Sequence, residues 1–353
     1  MTNQSGFAAE LLKRSAAGYA GTAAELLLER RPALRKQAGA FAAWKSNLTQ
    51  RTIELAAALA AGEQTLFTER LTWARKTYLA REQDDALLND SVTCLRESLA
   101  DSLPPPAAAV SLEYLDTAID AISGPMPAPD ASELDPAHAE GKLALQYLQL
   151  ALEGKSPDAI QLILDAVDNG LSAKSAYVDV LLPAQREIGR MWHADEVNIA
   201  EEHVVSATTS RVMAILAHTA PRSALNGKTV VSACVPSNVH DLGIRALSDL
   251  FYLHGWNAVY LGADVPDIDM PGAISYFDAD LLLLSATLSV QIVAATDVVQ
   301  TVREQSERPV KIMVGGAAFS EAPDLWRQTG ADDYVPDALA ALEVAADLVG
   351  ISR

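Results

Sequence analysis

The spacing of apolar positions changes twice along the chain. In residues 1–122 they recur at helical spacing, as in LTQRTIELAAALAAG and LFTERLTWARKTYLAREQ. Between His138 and His218, amphipathic segments of helical period follow one another across short breaks. From Lys228 onward, short aliphatic runs of strand length alternate with helical segments. The pattern predicts an all-helical N-terminal domain, then a helical bundle, then an α/β domain.

The bundle is predicted from segments that are separated by turn residues, namely Gly154, Gly170 and the Ala194-Asp195 pair. Short loops between amphipathic helices favour antiparallel packing, so we expect a four-helix bundle. Its predicted helices run from His138 to Leu152, Pro157 to Asn169, Lys174 to Trp192 and Val197 to His218.

The strand-like runs of the last domain are apolar on both faces, and each is followed by a helical segment. Such runs are typical of a parallel sheet that is covered on both sides. The runs are KTVVSACV, WNAVYLG, DLLLLSA, PVKIMVGG and DDYV. Five units of this kind predict a flavodoxin-like fold with a ligand at the carboxyl ends of the strands.

A proline-rich segment separates the helical N-terminal domain from the bundle. Residues 123–136 carry four prolines and little apolar periodicity, so we expect an extended linker. A smaller break at Pro104 to Pro106 predicts that the last helix before the linker is a separate one. The expected domains are 1–122, the linker 123–136, the bundle 137–222 and the α/β domain 226–353.

The charge balance and the cysteines limit the function. The net charge of −19 disfavours nonspecific binding to nucleic acid, and residues 1–122 carry 13 Lys and Arg against 15 Asp and Glu. Cys94 and Cys234 make no zinc-type spacing. The first residues, MTNQSGFAAELLKR, lack the basic-then-apolar run of a signal peptide, and we expect no membrane span because no stretch of about 18 apolar residues occurs. We therefore expect a cytoplasmic protein that binds neither nucleic acid directly nor a membrane.

Polar and small residues follow several predicted strands of the α/β domain. His240 lies in the loop PSNVHDLGIRAL after the first strand, where a lone histidine is most often a solvated or capping residue. The third strand ends in SATLS and the fourth in VGGAAF. Because the carboxyl ends of parallel strands meet at one edge, these loops are expected to converge on a ligand. Glycines there admit a flat ligand, and hydroxyls can bond a polar tail.

The combination Asn238-Val239-His240-Asp241-Leu242-Gly243 with the later serines and the glycine pair resembles the DxHxxG…SxL…GG signature of base-off, His-on cobalamin proteins. The resemblance implies that His240 is the lower axial ligand of cobalt and that Gly243 makes room for the corrin. It also implies a cobalamin-binding role for Asn238 and Asp241. The residues expected to line the slot for the nucleotide tail are Ser285, Ser289, Gly315 and Gly316, and Thr287 is also expected to bind the cofactor.

Asn238 departs from the signature, which has Asp at this position. A carboxylate there would hydrogen-bond the ligating histidine and tune its basicity. An amide can orient the ring but cannot take up its proton, and this weakens the case for methyl-transfer chemistry.

The bundle carries a second set of residues, Trp192-His193 followed by Glu202-His203. One interpretation of these residues is a core tryptophan at a helix end with a solvated Glu-His pair. The Trp-x9-Glu-His pattern, however, resembles the cap of the light-responsive adenosylcobalamin repressors. The resemblance implies that Trp192 and Glu202 cover the upper face of adenosylcobalamin, that His193 is the upper cobalt ligand after light, and that His203 is a cap contact.

The N-terminal domain lacks the basic face of a DNA-reading helix. A helical domain joined to such a cap and cobalamin fold is similar to the photocobilins, which implies biliverdin as a second chromophore. The sequence contains no recognisable bilin-binding motif. Its N-terminal aromatic residues are explained equally by an ordinary helical core; they are Trp44, Trp73, Tyr78 and Tyr114.

The function expected from these features is that of a cobalamin-dependent photoreceptor, not an enzyme, that signals by a conformational change. We expect a symmetric homodimer and an unidentified downstream protein partner. The alternative is a corrinoid methyl carrier for a partner methyltransferase, which the fold and His240 fit equally well. A mutase subunit would need a substrate barrel on a partner chain.

Overall fold

The computed structural model describes residues 3–125 and 131–351. Residues 126–130 of the predicted linker and the last two residues of the predicted α/β domain lie outside the described residues. The chain forms two compact units. One holds the N-terminal helices, and the other holds the bundle and the sheet. No helix of the described part is long and apolar enough to cross a membrane.

The N-terminal unit is helical, as the apolar period predicted. Its helices bury Ala and Leu stripes such as Leu12, Leu27, Leu55 and Leu59, and each fully buried Leu contributes about 1.5–3 kcal/mol to stability. The last helix begins directly after Pro104, because proline suits the first turn of a helix but not its interior. The helices are α1 (Asn3–Arg30), α2 (Ala40–Ala61), α3 (Thr65–Ala80), α4 (Asp85–Ser102) and α5 (Pro105–Ser123).

The bundle of the second unit consists of four helical segments, the third of which is composite. After α8 (Ala173–Ser175), a π-helical stretch, Ala176–Leu181, leads into α9 (Leu182–His193) without a break. The predicted single helix from Lys174 to Trp192 is therefore continuous but contains a π-helical stretch, which its apolar period did not indicate. The bounds are α6 (Ala139–Leu152), α7 (Ser156–Asp168), α8 (Ala173–Ser175), α9 (Leu182–His193) and α10 (Ile199–Thr219).

The sheet is parallel with strand order β2-β1-β3-β4-β5, the flavodoxin-like order that was predicted. Its bounds are β1 (Thr229–Cys234), β2 (Asn257–Gly262), β3 (Leu281–Ser285), β4 (Lys311–Gly315) and β5 (Asp333–Tyr334). The order reverses between β1 and β3, so a crevice opens beyond their carboxyl ends.

The helices of the α/β domain follow the strands in the expected alternation. The first and the last of them pack on one face of the sheet, where Ile244, Phe251 and Ala341 share a core with Val230 and Leu281. The helices are α11 (Leu242–Leu253), α12 (Met270–Tyr276), α13 (Gln291–Gln305), α14 (Ala317–Glu321), α15 (Trp326–Thr329) and α16 (Ala338–Leu348).

The bundle packs against α11, and this contact fixes its position above the sheet. Ala246 and Leu250 of α11 belong to the same core as Tyr147, Tyr177 and Val212 of the bundle. Because this core is shared, the bundle forms a cap over the carboxyl ends of the strands.

Candidate functional site

A cavity of about 880 Å³ lies between the cap and the carboxyl edge of the sheet. Helices α9 and α10 contribute its roof, and the loops after β1, β3, β4 and β5 contribute its floor. The volume is near the upper end of the range for small-molecule sites. Much of the wall is apolar, with Val178, Leu182, Val239 and Leu247 among the lining side chains.

His240 lies in the floor, in the loop between β1 and α11, and its exposed side chain lines the cavity. Its backbone is held on both sides. The N–H donates to Oδ1 of Asn238 at 3.1 Å, and the carbonyl accepts from Sγ of Cys234 at 3.7 Å. Burial raises the pKa of the Cys234 thiol to about 12, so this thiol stays protonated and can donate.

The loop before His240 turns sharply at Ser237, which has a φ of +64°. This conformation is costly for a residue other than glycine. The backbone N–H of Ser237 donates to Oδ1 of Asp264 at 2.6 Å, and the N–H of Asp264 donates to the carbonyl of Asn238 at 3.0 Å. These two bonds from the loop after β2 stabilise the turn that presents His240.

The loop is held a third time at Asp241, one residue after His240. The hydroxyl of Tyr260, on β2, donates to Oδ2 of Asp241. Burial and the hydrogen bond with Asp241 raise the pKa of Tyr260, so the phenol keeps the proton that it donates. Both Asp241 and Gly243 line the cavity.

Asn238 is completely buried, and its amide is committed to the backbone. Nδ2 donates to the carbonyl of Ser285 at 2.9 Å, and Oδ1 accepts the N–H of His240. Within the described residues, no hydrogen bond joins this amide to the imidazole. The sequence suggested that the amide would orient the ring. In the structure it orients the loop instead, by joining the ends of β1 and β3.

The rest of the floor comes from β3 and β4. Ser285, Thr287, Gly315 and Gly316 all line the cavity. Gly316 has a φ of +101°, and a Cβ there would lie 2.2 Å from the carbonyl oxygen of Ala286. Only glycine permits this close approach. Ser289 is buried but is not among the residues that line the cavity.

The roof contains Trp192, Glu202 and His203, which face the same cavity as His240. Glu202 lies in the first turn of α10 and His203 follows it directly; the helix begins with a capping box formed by Asn198 and Glu201. The Asn-x-x-Glu spacing could have indicated this start. Because α10 begins at Ile199 and not at the predicted Val197, Glu202 lies nearer to the first residue of the helix than was predicted. His193 ends α9 and does not line the cavity.

The cavity is also lined by polar side chains that were not predicted from the sequence. Gln185, Arg186 and Ser206 line the cavity, and on the sheet side so does Asp337. The spacing of four residues between Glu202 and Ser206 indicates, from the sequence alone, that both lie on one face of the helix. Nothing local to Gln185 indicated that it would lie opposite them.

The residues that form this site lie in regions similar to known proteins. Two family models, each described as a B12 binding domain, match residues 228–352 and residues 143–217. Together they cover the sheet domain and most of the cap.

Curated relatives fall into two groups. The HTH-type transcriptional repressor CarH of Myxococcus xanthus is 28% identical over 156 residues, which are 44% of this chain and 52% of the repressor. The chain thus spans about half the length of that relative. Dimethylamine corrinoid protein 3 of Methanosarcina mazei is 30% identical over 122 residues, which are 34% of this chain and 71% of the relative. Dimethylamine corrinoid protein 1 of Methanosarcina acetivorans is 25% identical over 211 residues, 58% of this chain and 97% of the relative.

Among solved structures, the Methanosarcina barkeri monomethylamine corrinoid protein superposes with a TM-score of 0.51 at 19% identity. The match covers 60% of this chain and all of that one. At this identity the likeness shows the fold alone.

Proposed function

This chain belongs to the family of B12-binding proteins, and we propose that within the family it is a cobalamin-dependent light sensor with cobalt held by His240. The proposal is carried by one observation: Trp192, Glu202 and His203 of the cap line the same cavity as His240. A ligand that reached His240 from above would thus be enclosed between an imidazole and this roof.

The residues of the cavity fit a corrin. The imidazole of His240 lines the floor and, among the described residues, has no hydrogen-bond partner, so its nitrogen is available to cobalt. A Cβ at Gly243 would meet nothing within 4 Å, so the absence of a side chain leaves open space beside His240. The apolar walls suit a large, flat macrocycle.

Bound adenosylcobalamin supplies a cobalt–carbon bond that visible light breaks. The protein's own residues would bind, orient and respond. His240 would hold the lower face, Trp192 would exclude water from the upper face, and Glu202 would accept hydrogen bonds there. A signal then requires that the cap have two arrangements which the upper group stabilises differently.

His193 is proposed as the upper ligand after illumination. It ends α9 outside the cavity lining, whereas Trp192 beside it lies in the lining. Movement of the last turn of α9 would therefore accompany its binding to cobalt. Such a movement is the local event that the sensor hypothesis needs.

The test is a spectrum of the adenosylcobalamin-loaded full chain before and after illumination. We expect a lasting spectral change and an altered elution volume or hydrogen-exchange pattern of the cap. The His193→Ala variant should still bind in the dark but should lose the lit spectrum of a bis-imidazole complex, whereas His218→Ala, at the end of α10, should not differ from the wild type. A loaded protein without any spectral or assembly change on illumination would exclude the sensor.

A corrinoid methyl carrier is the second candidate, because two of the relatives described above are dimethylamine corrinoid proteins, one matched over 97% of its length. Under this hypothesis the cap would open to a partner methyltransferase. Transfer of the methyl group from methylcobalamin-loaded protein in the dark, to thiol or amine acceptors with a partner enzyme, would support it. Failure of such transfer together with a light response would favour the sensor.

Biliverdin is proposed as a second chromophore. Purified protein mixed with biliverdin should develop a sharpened far-red band, and the spectrum of free pigment would count against the idea. A homodimer, a cytoplasmic location and an unidentified downstream partner stay predictions.

A further inference from the structure

A chain of hydrogen-bonded side chains runs from the centre of the cap to the roof of the cavity. It begins at Tyr147 of α6, which is fully buried and whose hydroxyl lies 2.7 Å from Oγ1 of Thr209 on α10. Nε2 of Gln185, on α9, donates to the same Oγ1 at 2.7 Å. Three cap helices are thereby joined at Thr209.

The chain continues to the cavity through Ser206. Its hydroxyl lies 3.0 Å from Oε1 of Gln185 and also donates to Oε1 of Glu202. Its single proton lies between these two acceptors, of which the ionised carboxylate is the stronger. Oε2 of Glu202 pairs with Nδ1 of His203. Both oxygens of Glu202 are therefore held, each from a different side.

The amide of Gln185 bridges Thr209 and Ser206. Its nitrogen lies at Thr209 and its oxygen at Ser206. Because each hydroxyl can accept as well as donate, the amide makes this bridge in either of its two orientations. Ser206 is thus supported by the core of the cap.

We infer that Gln185 and Ser206 are positioning residues that hold the carboxylate of Glu202 over the cavity and so select an upper axial group that carries hydroxyl donors. The inference rests on the proposed function, because it requires cobalamin in this cavity. Glu202 is the acidic residue that the cap contributes to the described lining, and its side chain is 23% exposed.

The physical reason for the selection is the cost of ordering a carboxylate. Glu202 lies in the first turn of α10, where an unsupported glutamate can point into solvent in several rotamers. Held by Ser206 and His203, it presents its remaining lone pairs to a ligand without a further entropy cost. A ribose-like group with hydroxyls gains from this, whereas a methyl group has no donor to place there.

The experiment measures affinities of the full chain for adenosylcobalamin, methylcobalamin and hydroxocobalamin by absorbance titration in the dark. In Ser206→Ala and Gln185→Leu, we expect affinity for adenosylcobalamin to fall about tenfold. The affinity for methylcobalamin should be unchanged, and that for hydroxocobalamin should fall less than that for adenosylcobalamin. Ser206→Thr keeps the hydroxyl and should restore the preference.

The matched control is Thr219→Ala. It removes a hydroxyl from the same helix, one that donates to the carbonyl of Ile215 and has no part in the chain to Glu202. Its affinities should equal those of the wild type. Melting temperatures of the ligand-free variants show whether the cap remains folded.

Three results would overturn the inference. An equal loss of affinity for all three cobalamins would mean general damage to the cap, and an unchanged preference in Ser206→Ala would mean that Glu202 needs no support. Either result leaves the proposed function intact. If the wild type bound none of the three cobalamins, the proposed function would fail and the inference with it.

Discussion

Asn238 donates from Nδ2 to the carbonyl of Ser285 at 2.9 Å in a fully buried position, and this bond joins the ends of β1 and β3. It also explains why an amide is tolerated where the related signature has a carboxylate. The amide supplies a donor that an ionised carboxylate lacks, and the carbonyl of Ser285 needs that donor.

The first prediction follows from this bond. In Asn238→Asp at neutral pH, the new carboxylate would face the carbonyl of Ser285 without a proton to donate. We expect a loss of about 1–3 kcal/mol in the free energy of unfolding. Protonation restores the donor, so the loss should shrink as the pH falls, which urea denaturation at several pH values can measure.

The control for this prediction is Asn226→Asp. Oδ1 of Asn226 accepts the backbone N–H of Lys228 at 2.9 Å, and a carboxylate can do the same. Its stability should therefore change little between acid and neutral pH. If the free energy of unfolding changed with pH in the same way in both variants, the bond from Asn238 to Ser285 would not be the cause of the loss.

The second prediction concerns Asp249 of α11, which meets the hydroxyl of Tyr177 in the cap at 2.9 Å. Burial raises the pKa of Asp249 to about 6, although the bond from Tyr177 and the charge of Arg245 act in the opposite direction. The unfolded chain releases this proton near the ordinary value, so the folded protein retains a proton that the unfolded chain has lost. Stability due to this group is therefore present at acid pH and falls as the pH rises from about 4 to about 6.

Asp249→Asn should remove the cost of the buried charge and still accept the hydroxyl of Tyr177. We expect the variant to be more stable than the wild type by about 1–3 kcal/mol at pH 7.5 and equal to it near pH 4. Asp269→Asn, at an exposed position, serves as the control. If the stability difference between Asp249→Asn and the wild type were the same at all pH values, the raised pKa of Asp249 would be contradicted.

The third prediction contrasts two glycines of the cavity floor. Gly316→Ala would bring Cβ to 2.2 Å from the carbonyl oxygen of Ala286 in a backbone conformation of positive φ. We expect it to lose at least about 2 kcal/mol of stability or to fail to fold. Gly243→Ala meets nothing within 4 Å and lies in the first turn of α11. Its ligand-free stability should be equal or slightly higher.

The methyl group of Gly243→Ala would nevertheless occupy space beside His240. If a corrin binds there, cobalamin affinity should fall by about tenfold or more, since overpacking costs about 1–3 kcal/mol. Calorimetry of the ligand-free protein and absorbance titration separate the two effects. Unchanged binding would mean that cobalamin does not reach this turn.

The fourth prediction concerns the segment around Leu134, which leads into the first helix of the cap. Leu134, 7% exposed, packs in the core of the cap. Glu133 pairs with Arg186, a residue of the cavity roof, at 3.0 Å. Gly141 adjoins this segment so closely that a Cβ would lie 2.2 Å from the carbonyl oxygen of Asp135. This part of the predicted extended linker is thus docked on the cap.

Leu134→Ala should cost about 2–3 kcal/mol locally and should make residues 131–138 sensitive to limited proteolysis and fast in hydrogen exchange. Leu225→Ala, at a position that is 69% exposed, should change neither. If the segment in Leu134→Ala stayed as protected as in the wild type, the docking would depend on other contacts.

The sequence predicted more of the fold than of the site. Apolar periods indicated the helices and strands, and their alternation indicated the strand order, because both patterns are local. The loop with His240 and the glycine pair could be assigned to one edge for the same reason. The π-helical stretch before α9 and the docking of Leu134 left no local sign. They depend on how the helices of the cap pack together.

What the sequence by itself determined is therefore which residues follow which strand, and with it that His240, Ser285 and Gly316 share one edge of the sheet. The tertiary structure alone decided which partner each polar side chain takes. Asn238 binds a carbonyl 47 positions away, and Gln185 of α9 contacts Ser206 of α10. Such partners are set by packing, because a buried polar group bonds whichever acceptor or donor the folded chain brings within reach.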